Sequence, residues 1–195
     1  ILLVPNKITY YDRLANVYGV QEEWAKACEC YQAFLNKNKP IAHIYYNLAF
    51  NQKKNRQYVD ALQNYQLAID NDISRKEEIY LNQAVIYAEN LRKENDAIAC
   101  LELAIKEKHN YVDAIYNLAN LYEETGDKKK SVQLFSKILE LEPNNYQVLA
   151  RLADSKSIND IEDALIVKMK TALTNTQLEQ DVKIDLLYAL GKAYT

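Results

Sequence analysis

The feature of this sequence that most constrains its fold is a small residue that returns about every 34 positions in the same local setting. The first four intervals between successive copies are nearly equal, and the last one is slightly longer. These small residues are Ala15, Ala49, Ala84, Ala119, Ala153 and Gly191. The first four repeats hold a second small residue with a large one four positions later: Ala27 and Tyr31, Ala61 and Tyr65, Ala97 and Leu101, Ser131 and Phe135. The surrounding apolar residues recur with a helical period, which predicts two amphipathic helices in each repeat.

A pair of short helices cannot bury its apolar faces alone, so each pair must be covered by the next one. A small residue lets two helix backbones approach closely, and the large residue fills the space beside it. Only three Gly and three Pro occur in 195 residues, which leaves little turn-forming composition for hairpins and favours an all-α fold. We predict a single domain, 1–195, built as a right-handed α-α superhelix of eleven helices, five pairs and one further helix. The predicted repeats cover 8–41, 42–76, 77–111, 112–145, 146–175 and, as a partial sixth, 180–195.

This pattern resembles the tetratricopeptide repeat family over nearly the whole chain. The stretch 112–145 matches the family best, and its motif residues are Leu118, Ala119, Tyr122, Gly126, Asp127, Ser131, Phe135 and Pro143. The repeats 42–76 and 77–111 depart from the pattern because each lacks the turn glycine and carries one extra residue. The repeat 146–175 is divergent, and we expect its second helix to pack at an unusual angle. The resemblance implies a solenoid that binds a protein or peptide partner in a concave groove.

Charge and motifs argue against several other functions. The net charge is −3 with both signs mixed, so no nucleic-acid partner is expected. No apolar run reaches the length of about 18 residues that a membrane span needs, and no signal peptide is visible, so we expect a cytoplasmic protein. No nucleotide-binding, nucleophile or His-x-x-x-His motif occurs, and we expect no enzymatic activity, cofactor or metal in this chain. We interpret Cys28, Cys30 and Cys100 as reduced cysteines, and His43 and His109 as surface residues.

The predicted binding site is the stripe of each first helix that lies opposite its packing stripe. Its middle part is apolar, which has two interpretations: neighbouring first helices bury these side chains, or the side chains form an exposed patch for a partner. The residues predicted to form the peptide-binding groove are Arg13, Asn16, Tyr46, Asn47, Phe50, Leu81, Asn82, Val85, Tyr116, Asn117, Asn120 and Arg151.

Three asparagines, Asn47, Asn82 and Asn117, occupy the same place in consecutive repeats. A side-chain amide can donate and accept, so such a row could hold a peptide backbone about once every three residues. The row resembles the asparagine ladder of protein O-GlcNAc transferases. Family members that hold acidic chaperone tails use basic residues in their first helices. The matching positions here are Asp12, Tyr46, Leu81 and Tyr116, so no such carboxylate clamp is expected.

We therefore predict a non-catalytic protein-interaction scaffold. The alternative is the substrate-presenting repeat region of a larger enzyme, such as a sulfotransferase or glycosyltransferase, because residues 161–195 resemble the junction before the sulfotransferase domain of bacterial repeat proteins. The chain begins with Ile, so we expect a piece of a longer protein. We also expect Leu187, Leu190 and Tyr194 of the last helix to lie on an uncapped face, through which a homodimer could form.

Overall fold

The computed structural model describes residues 8–156 and 163–193 of the chain. Within these ranges the chain is all-α, with eleven helices and no strand, as predicted. The chain forms two compact units, residues 1–107 and 108–195, which we call the N-terminal unit and the C-terminal unit. The predicted position of Tyr194, and residues 157–162 of the divergent repeat, lie outside the described residues.

The N-terminal unit consists of three helix pairs. In each pair the first helix packs on the second, and α2 and α4 each pack on the first helix of the following pair. Its helices are α1 (Ile8–Val20), α2 (Trp24–Leu35), α3 (Ala42–Lys54), α4 (Tyr58–Asp70), α5 (Lys76–Val85, continued by a π-helical turn over Ile86–Asn90) and α6 (Glu94–Glu107).

The C-terminal unit begins with a fourth helix pair and ends with three helices that pack on one another. Here α7 packs on α8, α8 packs on α9, and α11 packs on both α9 and α10. Its helices are α7 (Val112–Glu124), α8 (Lys128–Leu141), α9 (Tyr146–Lys156), α10 (Ala164–Leu173) and α11 (Gln180–Ala193). The divergent α10 places Ile166, Met169 and Ala172 in a shared core with α9 and α11.

The repeated small residues lie at buried helix contacts in both units. Ala49 and Ala119 are completely buried, and Ala153, the most exposed of the five alanines, still shows only 5% of its surface. The large residues of the second helices are equally buried, with Tyr65 and Phe135 at 0% exposure. The structure therefore places equivalent sequence positions in equivalent packing environments, as the repeat predicts.

Each first helix of the four helix pairs is followed by a residue with a left-handed backbone, whether or not that residue is glycine. The residue at the left-handed position has φ of 58° at Glu22, 62° at Arg56, 55° at Arg92 and 87° at Gly126. The Glu23 N–H donates to the Tyr18 carbonyl at 2.9 Å, the 6→1 hydrogen bond of a Schellman motif. The turn is thus set by packing of the flanking helices, and glycine supplies it without strain in only one repeat.

The extra residue of the third repeat lies in the π-helical turn of Ile86–Asn90. Ala84 and Ala97 stand one residue further apart in the sequence than Ala49 and Ala61, the equivalent small residues of the second repeat. One residue inserted into an α-helix is accommodated by a single π-helical turn, which leaves the helices on either side in register. The repeat therefore keeps its packing despite the longer sequence.

The last helix differs from the prediction in one respect. Leu190 is only 8% exposed, because it packs into the core that α11 shares with α9 and α10. The apolar residues that α11 leaves exposed are instead Ile184, Leu187 and Tyr188. An apolar face is open on α11, as expected, but it is rotated away from Leu190.

Candidate functional site

In the N-terminal unit the predicted groove residues belong to α1, α3 and α5, and we call the surface that carries them the first-helix face of that unit. Arg13 and Asn16 are exposed, while the apolar and aromatic members on α3 and α5 are half-buried. Tyr46 lies against the second helix of its own repeat, with its ring centroid 5.9 Å from that of Tyr65. The half-buried side chains thus combine a packing role with an accessible surface.

A cavity of about 460 Å³ opens on this face between α1, the start of α2 and α3. Its walls are mainly apolar and aromatic, and three asparagines add side-chain amides. Gly19 lies beside Trp24, and a Cβ added to it would meet Trp24 Cζ3 at 3.3 Å. The cavity is lined by Asp12, Ala15, Asn16, Gly19, Val20, Trp24, Tyr31, Asn47, Phe50 and Asn51.

A hydrogen-bond network forms the polar part of this cavity. Asn47 Nδ2 donates to Asp12 Oδ1 at 3.4 Å and thereby joins α3 to α1. Asn51 Nδ2 donates to the Asn47 carbonyl at 2.7 Å. Burial raises the pKa of Tyr31, and the charge of Asp12 and the hydrogen bond to it raise that pKa further, so the phenol stays protonated at neutral pH. The network holds the amide of Asn47 in a fixed orientation.

The next asparagine of the row is also engaged within the chain. Asn82 Nδ2 donates to the Glu78 carbonyl at 2.9 Å, and Asn82 Oδ1 accepts a hydrogen bond from Lys53 Nζ. The same Lys53 Nζ lies 5.7 Å from the centroid of the Phe50 ring. Burial lowers the pKa of Lys53, and the nearby charge of Lys54 lowers it further. Lys53 therefore places a partly desolvated charge between Phe50 and Asn82.

In the C-terminal unit the predicted residues lie on α7 and α9. Asn117 Nδ2 donates to the Asp113 carbonyl at 2.7 Å. Arg151 Nη2 donates to Asn120 Oδ1 at 3.1 Å and also forms an ion pair with Glu123 Oε2 at 3.2 Å. These contacts tie α9 to α7 on the face that contains the predicted groove residues.

Two cavities open on this part of the C-terminal unit, with volumes of about 550 and 420 Å³. Both have Tyr116 in their walls, and its ring centroid lies 6.1 Å from that of Phe135 on α8. Their linings are more polar than that of the N-terminal cavity. The smaller one is lined by Tyr116, Gln147, Ala150, Arg151, Asp154, Asp185, Tyr188 and Ala189.

The sequence did not indicate how the asparagine amides are used. Each of the three Nδ2 groups donates to an acceptor of the chain, a backbone carbonyl one turn earlier for Asn82 and Asn117 and a carboxylate for Asn47. The Oδ1 atom of Asn82 also accepts a hydrogen bond within the chain, from Lys53 Nζ. Each amide has two N–H groups and one oxygen, so an asparagine that already makes one hydrogen bond can still bind a peptide backbone through its remaining groups.

Among the described residues, no group of three or more His, Cys, Asp or Glu side chains has an arrangement that could hold a metal ion. No described helix is both long enough and apolar enough to cross a bilayer. Cys28, Cys30 and Cys100 are free thiols, and His43 and His109 are exposed.

The fold and the recurring helix contacts define an all-α helical-repeat protein made of stacked helix pairs. Two of these repeats match a family model: residues 77–110 and 112–145 match the model described as tetratricopeptide repeat. The Photosystem I assembly protein Ycf3 of Synechococcus sp. (strain CC9605) is 28% identical over 94 residues, which are 47% of this chain and 54% of that protein. The chain thus spans about half the length of this curated relative.

Solved structures show the same fold at low sequence identity. YrrB, described as a tetratricopeptide protein with an unusual peptide-binding site, superimposes with a TM-score of 0.66 at 15% identity, covering 95% of this chain and 91% of that one. The first tetratricopeptide domain of Spaghetti, bound to the HSP90 peptide SRMEEVD, gives a TM-score of 0.52 at 22% identity, covering 59% of this chain and 90% of that one. At these identities the likeness establishes the fold alone.

Proposed function

We propose that the chain is a non-catalytic protein-interaction scaffold that holds a segment of a protein partner on its first-helix faces. The observation that carries this proposal is the aromatic and amide-lined cavity of the N-terminal unit. Ligand sites in proteins are typically concave and mainly apolar, with a few polar groups that fix the orientation of the ligand. The description of YrrB as a peptide-binding protein and the assembly role in the name of Ycf3 support the same class of function.

The geometry favours a partner segment with an apolar or aromatic anchor. Trp24 and Phe50 offer ring surfaces to such an anchor, and Asn16 offers an exposed amide to the backbone beside it. Aromatic anchors that fill pockets contribute most of the binding energy at many interfaces. An acidic tail such as SRMEEVD is not the expected ligand, because Asp12 would repel its carboxylates.

The test is selection of phage-displayed peptides on the 195-residue chain, followed by calorimetry of the enriched peptides. We expect the double variant Trp24→Ala/Phe50→Ala to lose at least about 10-fold in affinity, because it removes the ring surfaces of the cavity. Adding the three substitutions Asn47→Ala, Asn82→Ala and Asn117→Ala to this double variant is expected to lower the affinity further.

The matched control is Asn36→Ala/Asn71→Ala/Asn95→Ala, since these three asparagines are exposed and lie away from the first-helix faces. We expect the control to bind as the wild type does. Equal binding by the wild type and the cavity variant would remove the cavity from the proposal. Failure to enrich any peptide would contradict the scaffold function itself.

The alternative function, presentation of a substrate to a catalytic domain, rests on the resemblance of residues 161–195. In the described part of that stretch, Met169 is completely buried and Leu190 packs beside it in the core of the C-terminal unit. The packing of this unit therefore explains both residues without a catalytic neighbour. A phosphate-binding loop downstream in the same reading frame would support the alternative.

A further inference from the structure

The helix α11 carries an open apolar face in the C-terminal unit. Ile184, Leu187 and Tyr188 are 57%, 58% and 72% exposed. Gly191 belongs to the same stripe, and a Cβ built on it would meet nothing within 4 Å. Positions 184, 187, 188 and 191 lie on one side of a helix because they follow the i, i+3, i+4, i+7 spacing. We call these four residues the open face of α11.

The same unit shows what covers the equivalent face of another first helix. The equivalent positions two repeats earlier are Val112, Ile115, Tyr116 and Ala119 on α7, the helix that packs on α8. Ile115 and Ala119 are completely buried there. The repeat relation therefore specifies the occupant that fits the open face: one amphipathic helix of the α8 kind.

The contacts of α8 define the chemistry of such a helix. Its small residue Ser131 and its large residue Phe135 are both completely buried, and the Phe135 ring lies 6.1 Å from that of Tyr116. Tyr188 occupies the position of Tyr116, and Gly191 occupies the position of Ala119. An occupant of α11 would thus place a small residue near Gly191 and an aromatic or leucine side chain on Tyr188.

Charge adds a second requirement. The first turns of α11 carry Asp181 and Asp185 next to the open face, and both are exposed. At the matching end of α7, Lys137 of α8 reaches across and donates from Nζ to the His109 carbonyl at 3.3 Å. A helix docked on α11 as α8 is docked on α7 would bring a basic residue at this position close to the two aspartates, where it is favoured electrostatically.

We propose that the open face of α11 is a docking site for one amphipathic helix of a protein partner. This helix runs antiparallel to α11, presents a small residue and then a large apolar residue four positions later, and carries a basic residue near its C-terminal end. The site borders the smaller cavity of the C-terminal unit, which Asp185 and Tyr188 also line. It does not include the N-terminal cavity and does not depend on peptide binding there. Its occupant is a helix, whereas the N-terminal cavity accepts a single anchoring side chain.

The probe is a synthetic peptide of residues 127–142, acetylated and amidated, titrated into the 195-residue chain by calorimetry. We expect one peptide to bind per chain. Leu187→Asp and Tyr188→Ala should each weaken binding at least about 10-fold, because each removes apolar contact from the open face. Both residues are exposed, so circular dichroism should show unchanged folding of the variants. Val59→Asp is the matched control, since Val59 is 61% exposed and lies on α4 in the N-terminal unit.

Variants of the peptide test the proposed chemistry. Phe135→Ala in the peptide should weaken binding at least about 10-fold. Lys137→Glu in the peptide should weaken binding, and Asp181→Lys/Asp185→Lys in the chain should restore it, because the charge pair is then reversed.

Three outcomes would overturn the proposal. The first is no peptide binding to the wild-type chain, and the second is binding that Leu187→Asp leaves unchanged. The third is a dimer of the chain that uses the same face, with a second copy as the occupant. Sedimentation would then show a dimer that the Leu187→Asp substitution dissociates and that added peptide does not dissociate. The double variant Trp24→Ala/Phe50→Ala, which alters the N-terminal cavity, should bind the peptide at α11 as the wild type does. The test of this docking site is therefore distinct from the test of the proposed scaffold function.

Discussion

Side chains at the left-handed turn positions show where this chain tolerates local strain. Glu22, Arg56 and Arg92 adopt positive φ, a region that an L-residue with a Cβ enters at a cost. Only Gly126 occupies the equivalent place without that cost. The packing of the two flanking helices must therefore compensate for the strain in three of the four turns.

Replacing Arg56 by glycine is expected to stabilise the protein. Arg56→Gly removes the steric cost of its left-handed conformation, although the unfolded chain gains freedom, and we expect a net gain of about 0.5–1 kcal/mol in the free energy of unfolding. Gly126→Ala should have the opposite effect, with a loss of about 1 kcal/mol. Urea denaturation measures both, and a stability loss in Arg56→Gly would contradict the explanation.

A buried thiol, Cys28, and a half-buried thiol, Cys100, give the chain a distinct pH dependence. Burial raises the pKa of Cys28 and of Cys100 from an ordinary 9.0 to about 11. At pH 8 both cysteines should therefore react with iodoacetamide about 100-fold more slowly than an ordinary thiol, because only the thiolate reacts. Since the folded pKa is the higher one, the stability from these protonated thiols is complete below pH 9.0 and falls as the pH rises towards 11.

Mass spectrometry of the alkylated peptides over pH 7 to 11 measures this effect, with the urea-unfolded chain as the control. Rapid labelling of Cys28 in the native chain at pH 8 would show that its thiol is more accessible than the structure indicates.

The sequence could predict the small buried residues but not the orientation of polar side chains. Ala119 has a role that its residue type and its spacing already indicate, because few other side chains fit a close helix contact. Asn47 and Asn82 can point either end of the amide towards a neighbour, and that choice depends on Asp12 and Lys53 in other helices. The contact of Gln52 could not be predicted from the sequence either. This residue stands at a repeat position that is tyrosine in four of the six repeats, and it accepts a hydrogen bond from Asn64 at 2.8 Å.

At the scale of the helix, the π-helical turn after α5 explains how one repeat holds an additional residue. Deleting Glu89 should make the interval between Ala84 and Ala97 equal to that between Ala49 and Ala61. We expect this deletion to change the free energy of unfolding by less than about 1 kcal/mol, because the helix continues as a regular α-helix.

Deleting Glu124, at the same distance from Ala119, is the matched comparison. It shortens a repeat that has no surplus residue and should rotate one helix relative to the other by about 100°. Thermal unfolding should show a loss of several degrees for this deletion alone. Equal losses for both deletions would contradict the role assigned to the π-helical turn.

Substitutions at equivalent small residues should have opposite effects in different helices. Ala119→Leu overfills the contact between α7 and α8 and should cost about 1–3 kcal/mol, and the same holds for Ala84→Leu in its own repeat. Gly191→Ala adds a methyl group in open space and improves helix propensity, so it should stabilise α11 by about 0.5–1 kcal/mol. Urea denaturation would reveal a wrong repeat register if Ala119→Leu had no effect.

At the scale of the whole chain, we expect the free energy of local opening of each helix to increase with the number of its faces that pack against other helices. In the C-terminal unit α7 is buried along Ala114, Ile115 and Leu118, whereas α11 leaves three large apolar side chains exposed. Helices with fewer buried contacts open at lower free energy. We expect the amides of α11 to exchange with deuterium at least about 10-fold faster than those of α7 in native-state hydrogen exchange. Equal protection of both helices would contradict this order.

The helical repeat organisation was predictable because the same spacing of small and large apolar residues recurs in successive repeats. The pattern around Phe135 and the pattern around Tyr65 each predict a helix pair with the same arrangement. A wrong helix prediction in one repeat can therefore be recognised by comparison with the others. The divergent α10 had no such second copy to guide the prediction. The groove residues stay a prediction as a binding site, since surface recognition depends on a partner that the sequence does not describe.

The position of the single tryptophan has a practical consequence. Trp24 lies against Gly19 at the wall of the N-terminal cavity, where its indole is only partly covered. An occupant that excludes water from this ring would shift the wavelength of its intrinsic emission. The native chain thus contains its own optical reporter for that cavity, and an unlabelled titration can follow its occupancy.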